Sequence, residues 1–345
     1  MENSLSPYQI KSINSILRNT TRKEDERLNI LGMGAHERYE SQLSMVNADF
    51  YIFQVELSHK WNTQYAPMPS NYYILDRDKG EFQIPEWIDF DLVFCQAKDH
   101  YPALRHLSER LNIPLIVLEH TFPMPQWSSK ELNDLKKMHG HANVFISESS
   151  RNAWGWGENE AIVINHGLDT ELFQPSTEIS RKNHILSICN DFVRRDWACG
   201  YTIWKDLVKN LPYKIVGKTP GLSEPAKSTE DLVEIYQESS IFLNTSLCSP
   251  IPMCLLEAMA CGCAVVSTAT CMIPEIIENG VNGYLSNDKK EMRKYLERLL
   301  ENPDECRRLG ENARNTILDK FSLSKFIENW DKLFRTVSKL EIGQL

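Results

Sequence analysis

The chain has 345 residues, of which 42% are hydrophobic and 25% charged, with 15 glycines and 16 prolines. These proportions are those of an ordinary globular protein and exclude disordered, collagenous and disulfide-scaffold classes, while the length suggests two domains. Most of the net charge of −9 lies in residues 1–175, so this half lacks the basic face on which nucleic acid normally binds.

Strand-like and helical segments alternate through the first half of the chain. Residues 1–27 resemble a polar amphipathic helix or tail, and residues 101–111 have helical spacing. Buried strands are predicted at 28–34, 48–55, 91–96, 113–120, 142–149 and 161–167. The polar, proline-containing segment 168–183 is the predicted domain boundary.

The same alternation returns in the second half. Strands are predicted at 184–189, 213–217, 240–246 and 263–268, and helices around 200–210, at 228–238, at 252–260 and beyond 286. Strands separated by helices imply parallel sheets with right-handed crossovers. We therefore expect an α/β protein with two doubly wound, Rossmann-like domains facing across a cleft, where ligands bind at the carboxyl ends of the strands.

The lack of recognisable targeting signals and the pattern of cysteines predict a cytoplasmic protein. An integral membrane segment needs about 18 consecutive apolar residues, and the sequence contains no such run. The first residues lack the basic and apolar regions of a signal peptide. The nine cysteines include no CxxC pair, which predicts reduced, mostly buried thiols. Cys261 and Cys263 form a CxC, but no further ligands stand at zinc-finger spacing, so no metal site is expected.

Residues 32–37, GMGAHE, begin like the dinucleotide fingerprint G-x-G-x-x-G. Glu37 stands at the third glycine position, where a glycine permits close packing of helix on strand, and this disfavours an NAD site. The glycines at 32 and 34 could still let a ligand approach the backbone, the alternative being a simple tight turn.

The segment VGKT at 216–219 imitates the end of a P-loop. Pro212 stands where that motif needs a glycine, so a Walker A motif is excluded. Lys218 remains a candidate for contacting an anion, and a solvated surface lysine is the alternative.

The most informative stretch runs from 244 to 285. It predicts a strand, a loop and a helix whose free N–H groups suit a phosphate. Glu257 lies on this otherwise apolar helix. Its carboxylate should either face solvent or accept hydrogen bonds, for which sugar or ribose hydroxyls would serve.

This stretch resembles glycosyltransferase family 4, the retaining, nucleotide-sugar-dependent enzymes with the GT-B fold. LLEAMACGCAVVST, IPEII and NGVNGYL match its pattern in order and spacing, and further similarities are INHGLDTELFQP, EHTFP and KFSLSKFIENWDKLF. The resemblance implies an acceptor-side domain over 1–175, a nucleotide-sugar-binding domain over 176–322, and a helix over 323–345 that packs back on the first domain.

The resemblance also assigns the donor-site residues. Glu257 falls on the second Glu of the family's E-x7-E motif and would hold the ribose hydroxyls. Ser249 stands in place of the first Glu, which contacts the transferred sugar, and Pro250 and Pro252 replace two glycines. Each proline removes a backbone donor. The backbone donors that remain belong to Ile251, Met253 and Cys254. Pro252 also suits the first position of a helix, so a rigid helix start is the alternative explanation.

Cations for the donor diphosphate are expected after the strand HILSIC. Asn190 aligns with the family's Arg, Arg195 with its Lys five positions later, and Arg194 is an additional cation. Such cations would stabilise the charge that develops on a departing diphosphate. The alternative for Arg195 is a surface ion pair with Asp196.

On the acceptor side, His120 ends an apolar strand. A single histidine there is usually structural, whereas the resemblance implies an orienting or proton-handling group beside Gly32, Gly34 and His36.

These features predict a retaining hexosyl- or pentosyltransferase that moves a sugar from a nucleoside diphosphate to an acceptor hydroxyl, with no cofactor and no required metal. Glu257, Arg195 and His120 would be its catalytic residues, and Gly34 and Lys218 would add to the donor site. A glycan or lipid-linked sugar is the favoured acceptor, and a modified DNA base the second. Because Ser249 and the prolines depart from the family pattern, a catalytically silent, nucleotide-sugar-binding subunit is the alternative, and a dehydrogenase is a third.

Overall fold

A computed structural model describes residues 6–34, 36–54, 61–63, 66–75, 77–78, 81–82, 84–124, 126–249 and 251–340. The chain forms two compact units, one made of Met1–His166 with Ser324–Leu345 and the other of Gly167–Leu323. The division thus falls after His166, whereas the sequence suggested a boundary after residue 175. The first unit is discontinuous, because the segment that completes it follows the second unit in the chain.

The first unit is built around a parallel sheet with the strand order β3-β2-β1-β6-β7-β8-β9. Its strands are β1 (Leu28–Met33), β2 (Ala48–Phe53), β3 (Tyr72–Leu75), β6 (Leu92–Cys95), β7 (Leu115–Glu119), β8 (Ala142–Phe145) and β9 (Ile162–Val163), with a short antiparallel ribbon of β4 (Arg77–Asp78) and β5 (Glu81–Phe82). Its helices are α1 (Pro7–Thr21), α2 (Glu37–Leu43), α3 (Tyr101–Leu111), α4 (Ser129–Lys136), α5 (Glu148–Ala153) and, from Ser324 onward, α13 (Leu323–Val337).

Local signals explain where several of these helices begin and end. A capping box between Ser6 and Gln9 opens α1, because the two side chains satisfy backbone N–H groups that a helix start leaves free. Asn112 ends α3 in the left-handed conformation, with φ of 53°, which asparagine tolerates better than most residues.

Aromatic residues of α13 pack against the sheet of the first unit. Trp330 is fully buried and packs on Phe94, with ring centroids 5.3 Å apart, and Phe334 packs on Phe50 at 6.4 Å. Trp330 and Phe334 are one helical turn apart, so they lie on one face of the helix. The contacts make α13 part of the core of the first unit.

The second unit has a parallel sheet in the order β11-β10-β12-β13-β14. Its strands are β10 (Lys182–Ile188), β11 (Tyr213–Val216), β12 (Ser239–Asn244), β13 (Ala264–Ser267) and β14 (Tyr284–Leu285). Its helices are α6 (Asp196–Cys199), α7 (Tyr201–Val208), α8 (Thr229–Glu238), α9 (Met253–Ala260), α10 (Ile273–Ile276), α11 (Lys289–Glu301) and α12 (Pro303–Lys320).

The prediction of an α/β protein with two parallel sheets is confirmed. The helix expected around 200–210 is α7, and Gly200 separates it from the short preceding helix α6. This residue has a φ of 72°, and a Cβ there would lie 2.1 Å from the Thr245 carbonyl oxygen. Only glycine fits such a position. No helix in the described part of the chain is long and apolar enough to cross a membrane.

Candidate functional site

The predicted binding residues of the second unit follow the carboxyl ends of neighbouring strands. Asn190 lies after β10, Lys218 after β11, and Ser249 after β12. Because β11, β10 and β12 are adjacent and parallel, their carboxyl ends share one edge of the sheet, which is where parallel α/β sheets bind ligands.

Asn190 and Lys218 are joined directly. The Lys218 backbone N–H donates to Asn190 Oδ1 at 2.8 Å, and the Asp191 N–H donates to the Lys218 carbonyl at 2.9 Å. The turn between β11 and Lys218 depends on Gly217, whose φ is 129° and whose Cβ would lie 2.1 Å from the Cys189 carbonyl oxygen. The structure therefore brings these two predicted residues together, with the Lys218 side chain exposed.

Arg195 begins α6 and is exposed to solvent. The alternative ion pair with Asp196 is not formed, since that carboxylate accepts hydrogen bonds from the Thr202 N–H at 2.8 Å and its hydroxyl at 2.6 Å. Among the residues that the structure describes, Arg195 has no ion-pair partner. Arg194 differs, because its guanidinium pairs with Asp191 at 2.9 Å. Arg195 is thus the better placed of the two to meet an anion.

Glu257 does not face solvent. It lies on α9, only 6% exposed, and its Oε2 accepts a hydrogen bond of 2.7 Å from the hydroxyl of Tyr236, which is fully buried. Burial and the neighbouring carboxylate raise the pKa of Tyr236 well above its ordinary value, so the phenol remains a donor. Tyr236 on α8 therefore fixes the orientation of this carboxylate.

The loop between β12 and α9 is held in place by its neighbours. The N–H groups of Leu247 and Cys248 both donate to the Ala198 carbonyl, at 2.7 and 3.1 Å, and the Thr268 and Thr270 hydroxyls donate to the Ser246 carbonyl at 2.6 Å each. These bonds fix the backbone just before Ser249, which is partly buried.

The start of α9 differs from the expected one. Pro252 is the N-cap of the helix rather than its first residue, and Pro250 lies outside the described residues. Ile251 is buried and Met253 and Cys254 are partly buried at this helix start.

In the first unit, Gly32 lies within β1 rather than in a turn. A Cβ on Gly32 would lie 2.8 Å from the Phe94 carbonyl oxygen of the neighbouring strand, so the glycine is required by packing in the sheet. Gly34 follows the strand and has no contact as close as this. His36 precedes α2, and its N–H donates to Glu40 Oε1 at 3.0 Å.

His120 is one of three histidines around Tyr39. Its ring centroid lies 5.9 Å from that of His36 and 6.3 Å from that of His166, while Tyr39 is 4.6 Å from His120 and 5.2 Å from His166. We call His36, His120 and His166 the histidine cluster. Trp330 of α13 supports it, because the indole N–H donates to the Tyr39 hydroxyl at 2.9 Å.

Two members of the histidine cluster, His120 and His166, are neutral at pH 7. Burial and then the neighbouring histidines hold the pKa of His120 well below its ordinary value, and the same causes lower the pKa of His166 to about 4. A neutral imidazole can accept a hydrogen bond or a proton from a hydroxyl. Within the described residues, no group of three or more His, Cys, Asp or Glu side chains could hold a metal ion.

Sequence reasoning missed Tyr39, His166 and Tyr236. His166 lies inside the quoted segment INHGLDTELFQP, so that segment could have drawn attention to it. Tyr39 and Tyr236 belong to no motif, and their contacts with His120 and Glu257 depend on the fold.

Comparison with known proteins matches part of the second unit to a family model. Residues 225–316 match the family described as Glycosyl transferases group 1. The segment includes Tyr236 and Glu257.

Curated relatives match over part of their length. The alpha-maltose-1-phosphate synthase of Mycolicibacterium smegmatis is 31% identical over 118 residues, which are 32% of this chain and 30% of that protein. An uncharacterized glycosyltransferase of Haemophilus influenzae is 28% identical over 210 residues, 54% of this chain and 59% of that protein. The chain thus spans between about a third and three fifths of these relatives.

Solved structures resemble this chain over most of its length. HepE of Anabaena in complex with UDP-glucose has a TM-score of 0.71 at 15% identity, covering 90% of this chain and all of that one. Sucrose-phosphate synthase from Thermosynechococcus elongatus has a TM-score of 0.72 at 14% identity, covering 90% and 99%. These likenesses confirm the prediction of the GT-B fold.

Proposed function

We propose that the chain is a nucleotide-sugar-dependent glycosyltransferase of family 4 that retains the configuration of the transferred sugar. The observation that carries the proposal is the Glu257 carboxylate, buried on α9 and oriented by Tyr236 within the segment that matches the glycosyltransferase model. This carboxylate already accepts a hydrogen bond from Tyr236. An ionised carboxylate has several acceptor sites, so it would also accept hydrogen bonds from the hydroxyls of a donor ribose.

The remaining donor contacts come from the same edge of the sheet. Arg195, which has no ion-pair partner in the described part of the chain, would meet the diphosphate together with the Asn190 and Lys218 loops. The Ser249 side chain and the backbone of Ile251, Met253 and Cys254 would meet the sugar. Arg194 would contribute only after leaving Asp191. Because the HepE structures contain UDP-glucose or UDP, a uridine diphosphate sugar is the first donor to test.

In the reaction, the bond between the anomeric carbon of the sugar and the phosphate oxygen would break. The acceptor oxygen would form its bond to the anomeric carbon on the same face of the sugar from which the nucleotide leaves. The departing phosphate oxygen would take the hydroxyl proton, while Arg195 stabilises the negative charge that develops on the diphosphate. No required metal is part of this proposal. The histidine cluster, with Gly32 and Gly34 nearby in the chain, would serve the acceptor, because neutral His120 can accept a hydrogen bond from a hydroxyl.

A sugar-bearing glycan or lipid is the favoured acceptor. One structural neighbour is the lipopolysaccharide outer core galactosyltransferase WaaB, with a TM-score of 0.65 over 91% of this chain. A modified DNA base is the second choice, since residues 1–175 carry most of the net negative charge.

The proposal is tested by measuring hydrolysis and transfer with a panel of nucleotide sugars. We expect Glu257→Ala and Arg195→Ala to lose roughly a hundredfold in kcat/KM, as when one charge-assisted contact to the transition state is removed. Glu234→Ala and Lys205→Ala are the matched controls, since both replace exposed residues of the same unit. Undiminished turnover in both site variants would contradict the assignment.

A silent binding subunit is the second candidate, because Ser249 replaces a carboxylate of the family pattern. It predicts that a nucleotide sugar raises the melting temperature without any turnover across acceptors. Turnover by the wild-type chain excludes it.

A further inference from the structure

Two cysteines flank the loop that carries Arg194 and Arg195. Cys189 directly follows β10, where its N–H donates to the Val216 carbonyl at 3.0 Å, and Cys199 ends α6. Both are partly buried, and a hydrogen bond between the two thiols shifts the pKa of each, while the Cys189 thiol also donates to the Asn190 carbonyl at 3.5 Å. The sulfurs are therefore already in contact.

The backbone on both sides of this contact is fixed. The Thr219 hydroxyl donates to the Cys189 carbonyl at 3.3 Å, and the Thr245 hydroxyl donates to the Cys199 carbonyl at 2.9 Å. Gly200, next to Cys199, packs so closely on Thr245 that a Cβ there would lie 2.1 Å from its carbonyl oxygen. The backbone positions of both cysteines are thus fixed by the ends of the neighbouring strands β10 and β12.

The hydrogen bond between the two thiols raises the pKa of Cys189 and lowers that of Cys199, while burial raises and the Arg195 guanidinium lowers the pKa of both. The pKa of Cys199 is lowered to about 7. As the acceptor of that hydrogen bond, at the end of the helix that Arg195 caps, Cys199 is assigned as the nucleophile of the pair, and Cys189 supplies the second thiol. Burial raises the pKa of nearby Cys254 to about 12, which makes it a poor nucleophile at neutral pH.

We propose that Cys189 and Cys199 are a peroxide-reactive pair whose disulfide closes the loop 190–198. The Cys199 thiolate attacks one peroxide oxygen, the O–O bond breaks, and hydroxide leaves, giving a sulfenic acid. The Cys189 sulfur then attacks the Cys199 sulfur. The S–S bond forms, the S–O bond breaks, and the Cys189 proton leaves with the oxygen as water. In total, two thiols are oxidised and one peroxide is reduced to two waters.

The consequence for the donor rests on the proposed function. Closing the loop draws the sulfurs from hydrogen-bond contact to covalent distance and removes the Cys199 thiolate beside Arg195. The loop that would meet the diphosphate is then displaced and restrained. We expect the KM for the nucleotide sugar to rise roughly tenfold, as when one charge-assisted hydrogen bond is lost.

The first experiment maps the disulfide in the full wild-type chain. Reduced protein is treated with hydrogen peroxide, digested, and analysed by mass spectrometry before and after dithiothreitol. We expect a peptide pair linked through Cys189 and Cys199 that dithiothreitol separates. A wild-type chain without this link, or with the link in another cysteine pair, overturns the proposal.

Serine variants test the roles of the two thiols. Cys199→Ser should abolish reaction with peroxide, and Cys189→Ser should leave a sulfenic acid on Cys199 that dimedone traps. Cys271→Ser, another partly buried cysteine, is the matched control and should form the disulfide like the wild type. Equal rates of alkylation of Cys199 and Cys271 in the wild type at pH 7 would contradict the nucleophile assignment.

The second experiment measures donor KM before and after oxidation. A rise that dithiothreitol reverses, and that Cys189→Ser does not show, supports control of the donor site. If the disulfide forms and the KM for the nucleotide sugar does not change, the proposed control of the donor site by the thiol pair is refuted. Because mapping needs no turnover, a chain that forms the disulfide but transfers no sugar refutes the proposed function and leaves the thiol pair established.

Discussion

At the scale of single residues, the hydrogen bond between Tyr236 and Glu257 is the most consequential contact. Tyr236→Phe removes a 2.7 Å bond to a buried carboxylate while preserving the ring. We expect a loss of about 2 kcal/mol in the free energy of unfolding, as for hydrogen bonds to charged groups, and weaker nucleotide binding. Urea denaturation and nucleotide titration measure the two effects. Tyr213→Phe, at an exposed tyrosine, should change neither quantity, and equal behaviour of the two variants would refute this role for Tyr236.

The histidine cluster makes stability depend on pH. The pKa of His166 is lowered to about 4 in the folded chain from an ordinary value of 6.5, so the unfolded chain binds the proton first as the pH falls. The stabilising contribution is therefore complete above pH 6.5 and is lost progressively between about pH 6.5 and 4. Urea midpoints at several pH values should fall over this range. His166→Asn should flatten the profile, and an unchanged profile would count against the assignment.

The sequence pointed to individual residues but not to the contacts that they make. Glu257, Arg195 and His120 carried motif or strand-end signals, and the structure places Glu257 in a buried, hydrogen-bonded position. Whether Glu257 faced solvent could not be decided from the sequence, because its partner Tyr236 comes from another helix. The grouping of His120 with His166 likewise depends on the return of the chain to the same sheet edge.

At the scale of elements, Gly200 separates α6 from α7. Gly200→Ala forces a left-handed residue with φ of 72° and places a methyl group 2.1 Å from the Thr245 carbonyl oxygen. We expect a loss of more than about 2 kcal/mol in the free energy of unfolding, from conformational strain and from displacement of that backbone.

Gly221→Ala provides the matched control. Gly221 has nearly the same φ, 76°, but nothing lies within 4 Å of its Cβ position, so only the conformational cost of about 1 kcal/mol applies. Chemical denaturation of both variants separates strain from crowding. Equal losses would show that the contact with Thr245 costs nothing.

Regular elements were predictable where hydrophobic periodicity was strong. The helix expected at 101–111 is α3, and the strand expected at 213–217 is β11. The helix expected around 200–210 is α7, whereas the short helix α6 before it was not predicted, because four residues are too few to show helical periodicity. The strand expected at 161–167 is reduced to Ile162–Val163.

At the scale of the whole molecule, the two units differ in how the chain builds them. The second is one continuous segment, Gly167–Leu323, and the first needs the segment Ser324–Leu345. We expect a 167–323 fragment to fold cooperatively alone and a 1–166 fragment to aggregate, because Phe50 and Phe94 lose the cover of Phe334 and Trp330.

A synthetic peptide of residues 324–340 should rescue the 1–166 fragment. Circular dichroism and size-exclusion chromatography report the outcome, and the same peptide with Trp330 and Phe334 replaced by alanine is the control. A soluble, folded 1–166 fragment without any peptide would contradict the expected role of α13. The overall architecture itself was predictable, because alternating strands and helices allow few topologies.

The position of α13 in the chain also has a consequence for biosynthesis. The ribosome releases residues 1–166 first, yet the helix that completes their core follows the entire second unit. The usual order, in which an amino-terminal domain finishes folding before the next one emerges, is therefore reversed. The second unit can mature during translation, while the nascent first unit keeps its aromatic face uncovered until α13 has been synthesised. A chaperone would be needed during this interval.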